Sequence, residues 1–468
     1  MLDLLIKNGV VITMTGKGVG VIPRGSVGIK GNRIEFVGEI PTGCRAHREI
    51  DATNKAVMPG LIDAHIHSGL ALLRGLAQDT DHWMQKALWP FAHALTPEDD
   101  KIGSMVNIIE GVMAGTTTFC DYDSNMDSLL ENHMKVGTRA RVAETINEMP
   151  DDMPELDIGD LYPLDQDSGQ RLLDTSRKLL DKWHGSGQGR ITCMLGPQGP
   201  DMVSAQLLQQ VFELAEQYDT MVHMHVAQGD REIDQMLKRY GKRSIPWLDE
   251  QGFINQRLLA VHLTEATDEE TRLVAQRGAS MVLCSGSIGI IDGIIPPAAT
   301  FLAGGGRLAL GSDQAPGNNC NNMFNEMKFT SILNKCRARD PRVFPAWQVL
   351  RMATIDGARA IGLEEEIGSL EPGKKADIIV IDMDAPSLCP PILEPVRNIV
   401  PNLVYSANGS EVDTVVIDGQ VIMEERRLLT VDRQKAMAEA RTAAAAVAGR
   451  AKLGPDILAV EMMAKDQL

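Results

Sequence analysis

Aromatic side chains are scarce in this sequence, and basic residues are outnumbered by acidic ones. Phe, Trp and Tyr make up 4% of the 468 residues, and 46 Lys and Arg stand against 63 Asp and Glu, which gives a net charge of −17. Nucleic acids and anionic membranes are bound by basic surfaces, so we expect neither as a partner. No apolar run reaches the roughly 20 residues that a membrane-spanning helix needs.

Cysteine is also sparse, and the sequence shows no export signal. The seven cysteines are scattered without paired spacing, which is typical of reduced thiols rather than of a disulfide framework. The first residues lack a basic stretch followed by a small-residue cleavage site. We therefore expect a cytoplasmic protein. Its length and its hydrophobic content of 44% predict a large core with an accessory domain.

Both ends of the chain have the pattern of short strands. Asn8-Gly9 and Gly31-Asn32 each interrupt apolar runs, and both pairs predict hairpin turns. Similar apolar runs return within residues 376–422. Because chain termini often lie close together, we expect segments 1–57 and 366–430 to form one small β-sandwich domain.

The middle of the chain alternates apolar, β-branched runs with stretches of helical periodicity. Eight of these runs are predicted as strands: 57–67, 115–121, 141–146, 191–198, 221–228, 258–262, 280–285 and 308–313. This alternation predicts an α/β fold, a TIM-type (β/α)8 barrel over residues 58–365, with an open doubly wound sheet as the alternative. The alanine-rich segment 431–468 predicts a helical tail.

Polar side chains stand at the ends of four of these predicted strands. His65 and His67 end the first strand, His225 the fifth, His262 the sixth and Asp313 the eighth. Imidazole and carboxylate together are the ligand set of a divalent metal such as zinc or iron. Catalytic groups of such barrels lie at the C-terminal strand ends. The set therefore predicts a metal site, although each residue alone is more often a cap or a core residue.

His223 is the ambiguous histidine, because it lies two residues before His225 and on the same face of the strand. We favour His225 as the ligand because it is nearer the C-terminal rim. The remaining histidines lack strand-end placement and are expected to be structural or at the surface.

Several motifs resemble those of the amidohydrolase superfamily. They are VMPGLIDAHIH at 57–67, AGTTT at 114–118, GSD at 311–313 and LEPGKKAD at 370–377. Residues 319–328 and 353–359 are similar to the branch with atrazine chlorohydrolase, triazine aminohydrolases and adenosine-type deaminases. That branch also has urea- and carbamate-cleaving relatives. The resemblance covers residues 2 to 430 and implies homo-oligomers, dimers or larger.

The resemblance also implies roles for the strand-end residues. His65, His67, His225 and Asp313 would hold one divalent ion, zinc or iron, with cobalt or manganese as further options. Asp313 would also accept the proton of the attacking water, and His262 would stand beside that water. Binuclear members use a lysine on the fourth strand, and this chain has none at 191–198, so a mononuclear site is expected.

Two positions depart from the deaminases of this branch. Those enzymes resemble one another in a Glu three residues after the fifth-strand His, where this chain has Gln228. They often carry a Pro-His pair on the fourth strand, where this chain has Gln198. A glutamine orients a substrate but cannot act as a general acid. Asp230 and Glu232 lie close in sequence and are candidates to replace the acid.

Substrate contacts are expected from Gln198, Gln228, Trp83, Trp89 and Asn318. The two indoles would stack on a flat ring, or would belong to the core. The Asn318 amide would bind substrate, or would only stabilise a turn.

These features predict a hydrolase that cleaves a non-peptide C–N bond of a small neutral substrate, such as an N-substituted urea, carbamate or amide, or an amino-triazine. Three alternatives stay open. They are displacement of a halide or thiol from a heteroaromatic ring or thiocarbamate, purine or nucleoside deamination, and a non-catalytic metal-binding protein.

Overall fold

The computed structural model describes residues 1–152, 156–451 and 458–467. In these ranges the strands, numbered in chain order, are β1 (Leu2–Ile12), β2 (Val21–Lys30), β3 (Arg33–Gly38), β4 (Ala46–Asp51), β5 (Lys55–Pro59), β6 (Leu61–His67), β7 (Thr116–Asp123), β8 (Arg139–Ile146), β9 (Ile191–Pro197), β10 (Val222–Val226), β11 (Leu258–His262), β12 (Ser280–Leu283), β13 (Arg307–Leu310), β14 (Asp313–Gln314), β15 (Ile378–Asp382), β16 (Val412–Ile417), β17 (Gln420–Glu424) and β18 (Arg427–Leu428). They form two separate sheets.

Strands β6 to β14 form a parallel sheet that closes on itself. Neighbours follow chain order from β6 to β13, and β14 pairs with β6. The eighth barrel strand is thus split: β13 pairs with β12, and β14 completes the ring two residues later. This closure confirms the (β/α)8 barrel and rules out the open doubly wound sheet.

Helices separate the barrel strands and cover the outside of the ring. In the described ranges the α-helices are α1 (Trp89–Ala92), α2 (Pro97–Met113), α3 (Met126–Val136), α4 (Gln166–Trp183), α5 (Ser186–Gly189), α6 (Ala205–Gln217), α7 (Gly229–Tyr240), α8 (Ser244–Glu250), α9 (Asp268–Gln276), α10 (Ser285–Ile291), α11 (Ala298–Ala303), α12 (Ala315–Asn318), α13 (Met323–Ala338), α14 (Ala346–Met352), α15 (Ile355–Ala360), α16 (Ile399–Tyr405), α17 (Arg433–Arg450) and α18 (Leu458–Ala464). A 3-10 turn spans Ser68–Leu73, and a π-turn spans Met84–Leu88.

The two chain ends meet in the second sheet. Strand β5 lies between β1 and β15, so it joins the N-terminal strands to the C-terminal ones. Apolar side chains from both ends, including Ile6, Val57 and Val380, pack into one core cluster. The sheet is attached to the barrel through Arg139 of β8, which is buried and forms ion pairs with Asp377 and Asp418.

Two local expectations were wrong. The predicted strand 57–67 is two strands, because the chain passes from one sheet to the other at Gly60, where a Cβ atom would lie 2.1 Å from Thr117 Oγ1. The Asn8-Gly9 pair is no hairpin turn; it lies inside β1 at a register shift, with Asn8 at a φ of 66°. The turn at Gly31-Asn32 is confirmed, since Lys30 pairs directly with Arg33.

The C-terminal helix α17 packs on the segment that follows the first barrel strand. Ala443 and Val447 are buried against Leu72, Trp83 and Phe91 in a cluster of their own. Arg450, at the end of α17, donates to Ala94 O at 3.0 Å and pairs with Asp99. We call residues 70–95 the entrance segment. Residues 452–457 and 468 of the predicted tail lie outside the described residues. None of the described helices is long and apolar enough to cross a bilayer.

Candidate active site

The strand-end histidines and Asp313 converge inside the C-terminal end of the barrel. His65 Nε2 and His67 Nε2 each lie 3.5 Å from Asp313 Oδ1, and His225 Nε2 lies 3.4 Å from His67 Nε2. His262 Nε2 is 4.0 Å from Asp313 Oδ2. Two overlapping sets of these ligand atoms lie within 4.8 Å of one another. The structure therefore brings His65, His67, His225, His262 and Asp313 together.

Burial favours the neutral form of three imidazoles in this cluster, those of His67, His225 and His262. It lowers the pKa of His67 to about 4 and that of His262 to about 3, and it moves the pKa of His225 well below its ordinary value. Burial alone would raise the pKa of Asp313, but the surrounding His65, His262 and His67 lower it. Neutral imidazoles beside an ionised carboxylate are the protonation states that bind a divalent metal.

Hydrogen bonds from outside the cluster set the ring tautomers. His225 Nδ1 donates to the backbone oxygen of Gln198 at 2.7 Å, so its Nε2 lone pair faces His67. His65 Nδ1 lies 2.9 Å from His223 Nε2. When His65 Nε2 binds a metal ion, Nδ1 carries the proton and donates to His223. The structure thus places His223 behind His65, and His225 in the cluster.

Asp313 is held by side chains that the sequence did not single out. Ser287 Oγ donates to Asp313 Oδ2 at 2.5 Å, and Asn321 Nδ2 donates to Asp313 O at 3.1 Å. Ser312 donates from its backbone N and its hydroxyl to the buried Asp63, at 2.9 and 2.5 Å. Burial raises the pKa of Asp63 to about 7. These bonds fix the loop that carries Asp313.

Backbone strain is concentrated at the same strand ends. His262 has a φ of 77°, Asp313 of 60° and Ala227 of 53°. Non-glycine residues rarely adopt these values, and they persist only where surrounding contacts hold them. The strained residues stand at or next to the candidate site, where the fold turns side chains inward.

The two glutamines lie beside the cluster but make different contacts. Gln198 Oε1 accepts from Asn147 Nδ2 at 2.7 Å. The two acids proposed from the sequence lie in different surroundings. Glu232 is buried and accepts from the backbone N of Ala227 and Gln228, at 2.7 and 2.8 Å. Asp230 is exposed at the start of α7.

Two cavities open at this end of the barrel, and Gln85 of the entrance segment lines both. The first, which we call the Trp89 pocket, has about 830 Å³ and is lined among others by Gln85, Trp89, His93, Asn147, Gln198 and Met202. The second, the Asp292 pocket, has about 240 Å³ and is lined among others by Trp83, Met84, Gln228, Asp230, Glu265 and Asp292.

The remaining predicted contacts divide between pocket and core. Trp89 is half-buried on its pocket and stacks on His93, with ring centroids 6.3 Å apart. Trp83 is only 5% exposed, and most of its indole belongs to the cluster with α17. Asn318 is turned inward: its amide donates to Ser312 O at 2.8 Å. This hydrogen bond supports the loop that carries Asp313.

Sequence reasoning missed Tyr122. Its ring lies 5.0 to 5.9 Å from the rings of His65, His67, His223 and His225. The hydroxyl donates to Gly196 O at 2.7 Å, so the ring forms a fixed wall of the histidine cluster. It stands in an apolar strand, where nothing in the pattern separates it from an ordinary core aromatic.

The donor set fits a divalent cation. His65 Nε2 and Asp313 Oδ1 are buried and have no hydrogen-bond partner among the described residues, and the same holds for both ring nitrogens of His262. Buried polar atoms without partners are costly, and a cation held by His65, His67, His225 and Asp313 would satisfy His65 Nε2 and Asp313 Oδ1.

Comparisons with known proteins agree with this geometry. A model of the amidohydrolase family matches residues 56–422. A 5-methylthioadenosine/S-adenosylhomocysteine deaminase of Thermoanaerobacter pseudethanolicus is 36% identical over 93% of this chain and 97% of its own length. A 5'-deoxyadenosine deaminase of Methanosarcina mazei is 34% identical over 96% and 99%.

Solved structures have the same fold. An adenosine deaminase from Xanthomonas campestris with bound zinc has a TM-score of 0.86 and 30% identity, covering 96% of this chain and 99% of that one. Atrazine chlorohydrolase from Arthrobacter aurescens TC1, complexed with zinc, has a TM-score of 0.83 at 21% identity over 94% and 100%, a likeness of fold alone. The family match and the full-length relatives together show that this chain belongs to the amidohydrolase family, as a hydrolase acting on carbon–nitrogen bonds other than peptide bonds.

Proposed function

We propose that the enzyme hydrolyses the C–N bond of a small neutral N-substituted urea, carbamate or amide, with one divalent ion held by His65, His67, His225 and Asp313. The observation that carries this proposal is the pair of amides beside the cluster. Gln198 lines the Trp89 pocket and Gln228 the Asp292 pocket. Both can orient a carbonyl or an N–H group, and neither can protonate a ring nitrogen.

The protein groups divide the chemistry of hydrolysis. A bound divalent ion lowers the pKa of a water to about 7 and so supplies a nucleophile at neutral pH. Asp313, ionised and held by Ser287, accepts the proton of that water. His262 has two free ring nitrogens and lies 4.0 Å from Asp313. It is placed to donate to the oxygen on which negative charge develops.

The Trp89 pocket supports a neutral, flat substrate. Its volume of about 830 Å³ suits a small organic molecule, and the half-buried Trp89 indole offers a face for stacking. The lining residues that the structure describes include Asp151 and Asp152 but neither lysine nor arginine. A substrate anion would therefore find no counter-charge there.

A second candidate is deamination of a 5'-substituted adenosine, which the names of the full-length relatives favour. Both candidates break a C–N bond at an electrophilic sp2 carbon. The two reactions differ in one requirement: deamination needs a proton on a ring nitrogen. Deaminases of this branch supply that proton from a Glu at the position where this chain has Gln228.

A substrate panel tests the proposal directly. Metal-loaded enzyme is assayed with phenylureas, carbamates, thiocarbamates, amino- and chloro-triazines, 5'-methylthioadenosine and 5'-deoxyadenosine. We expect kcat/KM above about 10⁴ M⁻¹s⁻¹, an ordinary value for a true substrate, for ureas or carbamates. If only the adenosines reach it, the proposal is wrong and the second candidate is right.

The Gln228→Glu variant sharpens this comparison. Restoring the carboxyl should raise deamination of 5'-deoxyadenosine and lower urea or carbamate hydrolysis, because the new acid protonates a ring nitrogen but repels the carbonyl oxygen. Asp167→Gln is the matched control, since it changes an exposed carboxyl at the start of α4 that lines neither pocket and should leave the ratio of the two activities unchanged.

A further inference from the structure

The reaction proposed above lacks an assigned proton donor for the leaving nitrogen. An amine leaves poorly as an anion, so a group near it must supply a proton. Gln228 cannot do so, Glu232 is engaged by two backbone N–H groups, and Asp230 is exposed. A third acid, Asp292, is distant in sequence from these residues and lines the Asp292 pocket together with Gln228.

Asp292 caps the C-terminal end of α10 and lines the Asp292 pocket together with Gln228 and Trp83. Its Oδ1 lies against Gly229, 3.4 Å from the position that a Cβ of residue 229 would occupy. No group in the described ranges donates a hydrogen bond to its carboxyl. The carboxyl therefore faces the cavity next to the position where the deaminases carry their acid.

Helix α10 links this carboxyl to the metal-binding cluster. Ser287 near its start donates to Asp313, and Asp292 follows five residues later, which is about 7.5 Å along the axis at ~1.5 Å per residue. Helix α10 therefore contacts Asp313 from its first turn and carries a second carboxyl, that of Asp292, at its C-terminal end.

The charges around Asp292 favour its protonated form. Burial comes first, and the negative charges of Glu265, Asp230 and Asp313 add to it, so that the pKa of Asp292 is raised to about 7. Arg231 opposes this shift, but its guanidinium is paired with Asp201. The C-terminal end of a helix carries negative partial charge and acts in the same direction as the three acids.

Other charged groups around the pocket are engaged elsewhere or remote from the carboxyl. Asp81 of the entrance segment also lines the pocket, and it pairs with Lys86 at 2.5 Å. His82 completes the set of titratable lining residues that the structure describes.

We infer that Asp292 is the catalytic acid that protonates the leaving nitrogen, in the place of the Glu absent at position 228. This inference rests on the proposed function. The water oxygen bonds to the carbonyl carbon and gives one proton to Asp313. The C–N bond breaks, the nitrogen keeps the electron pair, and it takes its proton from Asp292. Solvent then returns a proton to Asp292 and removes the one on Asp313, so the net reaction consumes one water.

The test compares Asp292→Asn with the matched control Asp167→Asn, an exposed carboxyl in the first turn of α4 that lines neither pocket. Both are assayed on two substrates of the same framework, one releasing aniline and the other 4-nitroaniline. Loss of a general acid costs about 10²–10⁴-fold, so D292N should lower kcat by about 100-fold or more for aniline. The loss should be less than about tenfold for 4-nitroaniline, because its nitro group delocalises the negative charge on the leaving nitrogen and reduces the need for a proton. D167N should behave as the wild type, and Asp292→Glu should regain part of the lost rate.

The pH profile gives the readout that a merely structural role would not change. The acid must be protonated, so the wild-type rate should fall as pH rises through about 7, and D292N should lose this fall while keeping its metal content. If the wild type cleaves both substrates and D292N keeps the wild-type leaving-group dependence and pH profile, Asp292 is not the general acid, and the proposed function stands. If wild type cleaves neither these substrates nor the rest of the panel, the proposed function is wrong and the role of Asp292 falls with it.

Discussion

Replacement of His223 and of His225 by leucine separates a metal ligand from the residue that orients one. His225 offers its Nε2 to the cluster, 3.4 Å from His67 Nε2, whereas His223 only accepts the Nδ1 proton of His65 at 2.9 Å. We expect H225L to remove the metal and H223L to weaken its binding.

The size of the His223 effect follows from its contact. His65 and His223 are both fully buried, so H223L leaves a buried N–H donor without an acceptor. Loss of such a supporting partner costs about 10–100-fold in metal affinity, which is roughly 1.4–2.8 kcal/mol at about 1.4 kcal/mol per tenfold. His223→Gln keeps an acceptor oxygen at this position and should recover most of that loss.

Chelator competition on zinc-loaded protein measures both affinities, and elemental analysis measures the metal that remains. His184→Leu is the control, because this exposed histidine accepts from the backbone N of Cys193, away from the cluster. We expect H184L to equal wild type, H223L to bind about 10–100-fold more weakly, and H225L to fall well below half a metal per chain. An H223L protein without metal beside a loaded H225L protein would reverse the assignment.

Two substitutions and one mass measurement test the fold and its assembly. Arg139→Met leaves the buried Asp377 without its counter-charge, while Asp418 keeps Lys375 Nζ at 3.6 Å, and it should cost about 3–5 kcal/mol. Urea unfolding of the metal-loaded protein measures this, and a loss under about 1 kcal/mol would contradict it. Val447→Asp puts a charge into the cluster between α17 and the entrance segment. Because the entrance segment lines both pockets, KM should rise while metal content stays unchanged. An unaltered KM would show that the packing of α17 does not affect substrate binding. We also predict a homo-oligomer, and a sedimentation mass near the 51.0 kDa of one chain would contradict that prediction.

The barrel was readable from the sequence because buried parallel strands are short apolar runs of constant spacing. The polar residue that ends each run marks the rim where side chains from distant segments meet. His65, His225, His262 and Asp313 could therefore be predicted to converge, although nothing in the spacing gives their distances. The split of the eighth strand was not visible, because it depends on pairing with β6 across the whole chain.

The parts that sequence reasoning missed lie where side-chain direction is set by tertiary contacts. Tyr122 is hidden in an apolar run, and Asp292 stands at a helix end with no motif around it. Trp83 and Trp89 are six residues apart and look equivalent, yet the packing of α17 buries the first and leaves the second on a pocket. Glu232 and Asp230 were candidates because they follow Gln228 closely in sequence. In the structure Glu232 accepts a hydrogen bond from the backbone N of Ala227, and Asp230 is exposed.

The position of β5 between β1 and β15 has a consequence for synthesis of the chain. One edge of β5 can pair with β15 only after residues 378–382 have left the ribosome. At ~5–20 residues per second, this edge of β5 stays unpaired for roughly 15–60 s. An unpaired, apolar strand edge is a site of aggregation, so the nascent chain is expected to need a chaperone on β5 for most of its translation.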